Sequence, residues 1–292
     1  MGKISKILPS PPNIFIRINF KQNTINAIDC FIVFALTFFS LLIKFWKFGF
    51  PNYVIYDEAT FGHFATFHFK PYFTNSIKPN LNQLIFGSIL YLAHYKNNIN
   101  WDKDIGSQYS NEDDYYVFFR LIIISISSLT TPLIYISARI LNLSHCTSLM
   151  ASLFICLDIS STITSKYILP DSLNQFFVCL HLFSMCLLLV YKSHFSAFLV
   201  GTTLIMAISC KFSFISILIF DLVICFFHFS FSRSILFIIE ISLSAYCVFN
   251  MIFVIQFLYI QPDNFNMSLL MKYEYQLIIK SIRSIILKIS NI

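Results

Sequence analysis

The sequence predicts an all-α, polytopic membrane protein with about seven transmembrane helices and a long first loop. Of its 292 residues, 57% are hydrophobic and only 12% charged. Water-soluble domains carry about twice that charge. The apolar residues fall in long runs without strand-like alternation, which favours helices over a β-barrel. In lipid, each backbone polar group must be bonded within a helix or a closed barrel, so these runs read as spans. Phe is abundant (35) and Gly scarce (6), so larger side chains must pack the helices.

Residues 1–28 are basic and contain Pro9, Pro11 and Pro12, with no signal-peptide cleavage pattern. They are expected to be a cytosolic tail ahead of a retained signal anchor at 29–46. Lys44 and Lys47 are expected to snorkel to the interface. The segment 48–114 is polar, with four Lys and seven acidic residues. Within it, "LNQLIFGSILYLAHY" (81–95) is too short to span and is expected to lie at the interface. Apolar runs follow at 115–136, 146–163, 173–191, 195–231 and 235–260. At 1.5 Å per residue the 195–231 run would be roughly 55 Å long, well beyond a 30 Å core, so it divides near Lys211 into two passes. With a cytosolic N-terminus, the short connections bearing Arg139, Lys192 and Arg233 face the cytosol, as the positive-inside rule prefers. The three resulting parts are the tail 1–28, a membrane domain 29–260 with its 48–114 loop, and an amphipathic tail 261–292 lying on the membrane.

Net charge is +6, with much of it in the end segments. That fits a membrane surface and does not imply nucleic acid. Eight cysteines lie in or beside apolar runs, and none forms a CxxC, so they read as small buried hydrophobes. His63, His68 and His94 lack metal-ligand spacing.

Chemistry concentrates in "VIYDEATFGHF", where Asp57 and Glu58 follow the first span by about ten residues. Two readings stand. The pair is a solvated cap on an interfacial helix, or one carboxylate is a general base whose pKa is raised by burial and its neighbour. Arg120, Lys166 and Lys211 lie at or within apolar runs; Lys211, between two of them, needs a function or a counter-ion such as Asp221 or Glu240. Asp158 and Asp171 flank a short turn, where Asp171 has the position of a helix cap.

Five stretches, in order, the first of them a loop with two elements, resemble the protein O-mannosyltransferase family over about residues 28–278. Tyr56, Asp57, Glu58, Phe61 and Gly62 match its Phe-Asp-Glu-x-x-Phe-Gly element. Lys78, Pro79, Asn80, Leu81 and Gln83 stand in an eroded His-Pro-Pro-Leu-x-Lys element. "YYVFFRLIIISISSLTTPLIY" resembles the second span, with its Arg at Arg120. "LDISSTITSKYILPDS" resembles the Asp…Ser-Arg-x-Ile-Leu-Leu-Asp stretch through Asp158 and Asp171, with Lys166 replacing Arg. "AISCKFSF" keeps the Lys of a Lys-Trp-x-Gly segment at Lys211, and "QPDNFNMSLLMKYEYQL" resembles the approach to a MIR module.

The resemblance implies a GT-C-like glycosyltransferase fold in the endoplasmic reticulum membrane. It implies mannose transfer, with inversion, from dolichyl-phosphate mannose to Ser/Thr hydroxyls of secretory proteins at the luminal face. Asp57 is then expected to be the base, with Glu58 orienting it or the acceptor. Arg120, Lys211, Lys166 and Lys78 are expected to face the donor phosphate, with Asp158 and Asp171 supporting the site. The implied donor is lipid-linked; no metal site or cofactor is assigned, and the metal requirement stays open. A homo- or heterodimer with a related mannosyltransferase is implied. Two competing readings are a non-catalytic paralogue serving as partner subunit, and a small-molecule transporter with Lys211, Asp221 and Glu240 along its path.

Overall fold

The structure is a computed structural model that describes residues 25–55, 57–66, 81–93, 105–109, 115–211 and 215–259. The described residues form helices joined by short links, with one isolated antiparallel bridge, Tyr53 to Gln108. The tails 1–24 and 260–292, Lys78, His68 and His94 lie outside the described residues.

Helix α1 (Ala27–Phe45) begins where the Asn26 N–H donates to Asp29 Oδ2 at 3.0 Å. Two short helices from the first loop follow, α2 (Glu58–Thr66) and α3 (Leu81–Leu92). Helix α3 is where the sequence places an interfacial helix, but it does not lie on a surface. Asn82, Leu84, Phe86, Ile89 and Leu90 are buried, and Leu84 packs with Val248 and Ile252. Asn82 Nδ2 donates to Cys210 O at 2.7 Å, which gives the helix an internal polar anchor that a surface helix would not need.

The next apolar stretch, Tyr116–Ile140, is long enough to cross a membrane. It is broken at Leu129 into α4 (Tyr115–Ser128) and α5 (Thr130–Ile140). Pro132 explains the break: it has no N–H to give and its ring crowds the preceding turn. Ser127 O, at the break, accepts from Thr130 Oγ1 at 2.8 Å and from Lys44 Nζ at 2.9 Å; Lys44 also donates to Ser127 Oγ at 2.7 Å. This corrects the expectation for Lys44. The side chain is fully buried and does not snorkel, because a kinked helix offers it two oxygens inside the bundle.

Six further helices follow among the described residues. Helix α6 (His145–Cys156) is capped by Ser144, and short α7 (Ile159–Thr164) by Asp158, whose carboxylate accepts from Ser161 N at 2.8 Å. Pro170 occupies the first turn of α8 (Pro170–Tyr191), where a missing N–H costs nothing. Helix α9 (His194–Cys210) ends at Lys211, and α10 (Ser216–His228) starts five residues later, so the long apolar run does divide at that lysine. Helix α11 (Phe231–Tyr259) is the longest at 29 residues. Among the described residues, four stretches are long and apolar enough to span alone: Ala27–Phe45, Tyr116–Ile140, Pro170–Tyr191 and Phe231–Ile255. Helices α6, α9 and α10 are apolar but shorter.

Two apolar clusters hold this arrangement. One joins Val54, α3 and α4 to Ile168 and Leu173. The other joins α8 to α11 through Leu188, Val200, Leu204, Cys225, Phe237 and Ile241. Cys30, Cys146 and Cys247 face outward, so not all eight cysteines are buried. At the end of the bundle where α1 begins, Asp29 Oδ1 accepts from Arg139 Nε and Tyr135 Oη, each at 2.8 Å. Arg139 is therefore an ion-pair partner, not a free loop charge.

Helices α9 and α11 touch at Gly201. A Cβ there would lie 1.9 Å from Ser244 Oγ and 2.2 Å from Ile241 O. The hydroxyl can rotate away, but the carbonyl belongs to the α11 backbone. Gly201→Ala is expected to destabilise the chain by about 1–3 kcal/mol, seen as a lower midpoint of thermal unfolding in detergent. Adding Ser244→Gly should not restore it, since the clash with Ile241 O remains.

Candidate active site

The acidic pair splits. Glu58 opens α2 with its carboxylate fully buried, while Asp57, in the turn just before, is exposed. Adjacent residues at a helix start point in different directions, so one enters the core and the other leaves it.

Glu58 is held side-on by Arg120. Arg120 Nε donates to Glu58 Oε1 at 2.8 Å and Nη2 to Oε2 at 2.7 Å, with both side chains at 0% exposure. Such a pair is stable out of water only if its remaining donors and acceptors are met. Here they are. Glu58 Oε1 also accepts from the Ile168 N–H at 3.0 Å, and Oε2 from Ile55 N–H at 3.4 Å. Arg120 Nη1 donates to Pro51 O at 2.9 Å, and Nη2 reaches Tyr53 O at 3.5 Å. The rings of Tyr116, Tyr167 and Tyr109 lie 4.9, 5.3 and 5.7 Å from the guanidinium carbon, an aromatic enclosure for a planar cation. Tyr109 stacks on Tyr116 at 4.1 Å; burial, with the Glu58 charge beside it, pushes its phenol pKa well up. Backbone pairing of 52–54 with 106–109 presents the Pro51 and Tyr53 carbonyls: Val54 N bonds Ser107 O at 2.9 Å, and Gly106 N bonds Val54 O at 2.8 Å.

This clasp ties the first loop, α4 and the 165–169 link to one point. Around it lie the other expected site residues. Lys166 Nζ donates to Trp46 O at 2.8 Å, at the end of α1, and burial lowers its pKa below the usual lysine range. Lys211 Nζ pairs with Asp171 Oδ1 at 2.7 Å across the facing ends of α9 and α8, both side chains about half exposed. The expected counter-ion of Lys211 is thereby corrected: the lysine stands at the end of α9, and its partner is Asp171. Asp221 instead meets His181, and Glu240 meets His194. The Asp57 carboxylate has no hydrogen-bonding partner among the described residues. Asp158 serves as the α7 cap.

Glu58 and Arg120 thus occupy each other, which leaves Asp57 as the member of the acidic pair without a hydrogen-bonding partner among the described residues, and Lys166 and Lys211 as the expected site cations outside the clasp. Among the described residues, no three His, Cys, Asp or Glu side chains converge as metal ligands would. Sequence reasoning missed the tyrosine enclosure and the carbonyls of Pro51, Tyr53 and Trp46. An Arg inside an apolar run does signal a buried partner, but no pattern in the sequence names it.

Removing one partner of the clasp leaves the other charge buried and alone. Arg120→Met and Glu58→Leu are each expected to cost about 3–5 kcal/mol, read from thermal unfolding or protease resistance in detergent. The double variant should be distinctly milder than the sum, because no buried charge then remains unpaired.

Comparison with known proteins accords with this arrangement. The family model described as dolichyl-phosphate-mannose-protein mannosyltransferase matches residues 34–266. Dolichyl-phosphate-mannose–protein mannosyltransferase 2 of Candida albicans is 32% identical over 143 residues, 49% of this chain and 18% of that protein. Dolichyl-phosphate-mannose–protein mannosyltransferase 3 of Saccharomyces cerevisiae is 29% identical over 178 residues, 60% of this chain and 23% of that protein. Protein O-mannosyl-transferase 1 of Rattus norvegicus is 27% identical over 144 residues, 49% of this chain and 19% of that protein. The chain thus spans about a fifth of the length of these relatives. In the solved S. cerevisiae Pmt1–Pmt2 complex bound to the sugar donor, one chain superimposes with a TM-score of 0.75 at 20% identity. The match covers 82% of this chain and 35% of that one, and shows the shared GT-C-like fold. With a family match across most of its length and the fold of a solved family member, this chain belongs to the dolichyl-phosphate-mannose-protein mannosyltransferase family.

Proposed function

We propose that the chain transfers mannose from dolichyl-phosphate mannose to Ser or Thr hydroxyls of secretory proteins, inverting the anomeric centre, at the luminal face of the endoplasmic reticulum membrane. The supporting observation is the position of Asp57. It is an exposed carboxylate with no hydrogen-bonding partner among the described residues, in the turn just before α2 and next to the buried Glu58–Arg120 pair. A general base needs that combination of accessibility and fixed position. Glu58 acts as the positioning residue, and Arg120 supports Glu58.

The leaving group is an anionic lipid phosphate, which requires cations at the membrane surface. Lys211 is the first candidate: its exchange partner, Asp171, is half exposed, so an incoming phosphate can replace that carboxylate. Lys166 is second, and Lys78, which lies outside the described residues, is third. We assign residues 29–260 as the membrane unit with the 48–114 segment as its luminal loop, flanked by the 1–28 and 261–292 tails. The site acts alone or as one half of a dimer with a related mannosyltransferase. One observation favours a second reading, a non-catalytic partner subunit: both near-surface cations already have partners within the chain, Lys166 on Trp46 O and Lys211 on Asp171.

Mannose transfer from dolichyl-phosphate mannose to a Ser/Thr-rich peptide, in membranes containing this chain, separates the two. Asp57→Asn is expected to lower kcat at least about 100-fold with unchanged insertion and stability. Transfer that appears only with a related partner co-expressed, and that Asp57→Asn in this chain leaves unchanged, supports the subunit reading. Lys211→Ala is expected to raise the KM for the lipid donor about tenfold, the weight of one charge-assisted contact, with little change in the KM for peptide. A matching rise for both substrates would remove Lys211 from the donor site.

A further inference from the structure

The two groups of the proposed reaction, Asp57 and Lys211, stand on separate parts of the chain, and α3 touches both parts. On one side α3 packs with the first loop and α4: Phe86, Ile89 and Leu90 share a cluster with Val54, Ala65 and Phe119. The Phe86 ring meets Phe119 edge-on at 5.0 Å, one residue from Arg120 of the clasp. On the other side α3 meets the end of α9. Asn82, buried in the first turn of α3, donates from Nδ2 to Cys210 O at 2.7 Å.

Cys210 O and the Lys211 N–H belong to one peptide group, the one that leads into Lys211. Its N–H donates to Ala207 O at 3.1 Å. Its carbonyl is among those at a helix end that the helix itself leaves unbonded. With Asn82 on that carbonyl, both polar ends of the group are held. A peptide group is planar, so the direction in which the chain enters Lys211 is then set. From there Lys211 Nζ reaches Asp171 Oδ1. The amide of Asn82 is a demanding choice for this place. A carbonyl accepts only from Nδ2, so Oδ1 is turned away, and it is buried with no partner among the described residues. An amide buried with one end unmatched lowers stability, a departure from good packing of the kind that functional sites carry.

We infer that Asn82 is a positioning residue for the lipid donor: it holds the end of α9 against α3 so that Lys211 meets the donor phosphate at a set place relative to Asp57. This rests on the donor role proposed for Lys211. The contact between the helices does not depend on the amide alone, because Leu81 and Leu84 of α3 pack in one cluster with Ile205 of α9. Replacing Asn82 by Leu, of nearly the same shape, therefore removes the hydrogen bond and keeps the helices together.

The test uses the full chain in nanodiscs and two measurements. Peptide-resolved hydrogen exchange follows the last turn of α9. Asn82→Leu is expected to speed exchange at 207–211 about fivefold, the weight of one hydrogen bond, with α2 and α8 unchanged. Titration with dolichyl-phosphate mannose, followed by native mass spectrometry, reads donor binding. Asn82→Leu is expected to raise the donor Kd about fivefold in the otherwise unchanged chain. In a Lys211→Ala chain the same substitution should change the Kd by less than about twofold, because the group it positions is gone. A merely structural role would weaken binding equally in both backgrounds. Asn82→Ser, whose hydroxyl is too short to reach Cys210 O, should give the same readings and replaces Asn82→Leu if that variant does not fold. Unchanged exchange at 207–211, faster exchange along the whole chain, or an equal loss of binding in both backgrounds overturns the inference. So does a donor Kd raised by Lys211→Ala and unmoved by Asn82→Leu, which leaves the donor role of Lys211 standing. Faster exchange confined to 207–211, with donor binding indifferent to Lys211→Ala, places the failure in that donor role, and the inference falls with it.

Discussion

A guanidinium and a carboxylate, both wholly out of water, can coexist only when every polar atom they present is matched. The Glu58–Arg120 pair sets that condition at the loop end of this bundle, and the surrounding chain is shaped by it. The pairing of 52–54 with 106–109 presents two carbonyls to Arg120. The link before α8 is held with the Ile168 N–H toward Glu58. Three tyrosine rings from separate segments enclose the cation. Segments distant in sequence therefore meet at one point, because leaving any of these groups unmatched would cost more than the order that matching imposes. Asp57 gains a defined position as a consequence, with no partner among the described residues to neutralise it.

Three lysines show how much a charge depends on the oxygen nearest its helix end. Lys44 is in the last turn of α1, yet the break at Leu129 draws it inward to Ser127. Lys166 satisfies the terminal carbonyl region of α1 at Trp46. Lys211 caps the end of α9 and meets an aspartate at the start of α8. Cations at helix C-termini and acids at N-termini are favoured by the helix dipole, and the Lys211–Asp171 contact uses both at once. Only the last of these is half exposed, which is why it carries the donor-binding role in the proposed reaction.

The membrane character and helical class were legible from composition and run length. So were the division of the 195–231 run at Lys211 and the Asp57–Glu58 pair as the centre of interest. These follow from local rules: run length against bilayer thickness and the expense of charge in lipid. The family resemblance was legible because its motifs are short and contiguous.

What sequence alone could not decide is which groups face each other. Asp57 and Glu58 are neighbours of the same chemistry, and nothing local says which one is buried. That depends on Arg120, 62 residues further along the chain. Asp221 and Glu240 were the partners expected for Lys211, yet helix packing places Asp171 within its reach and gives the other two to histidines. Helix α3 reads as a surface segment by length, but buries itself once α4, α9 and α11 supply a cavity of matching shape. The sequence by itself determined the elements and the inventory of charges, because both follow from chemistry within a few residues. The tertiary structure decided the pairing, because pairing is a property of distances between elements that no local pattern encodes.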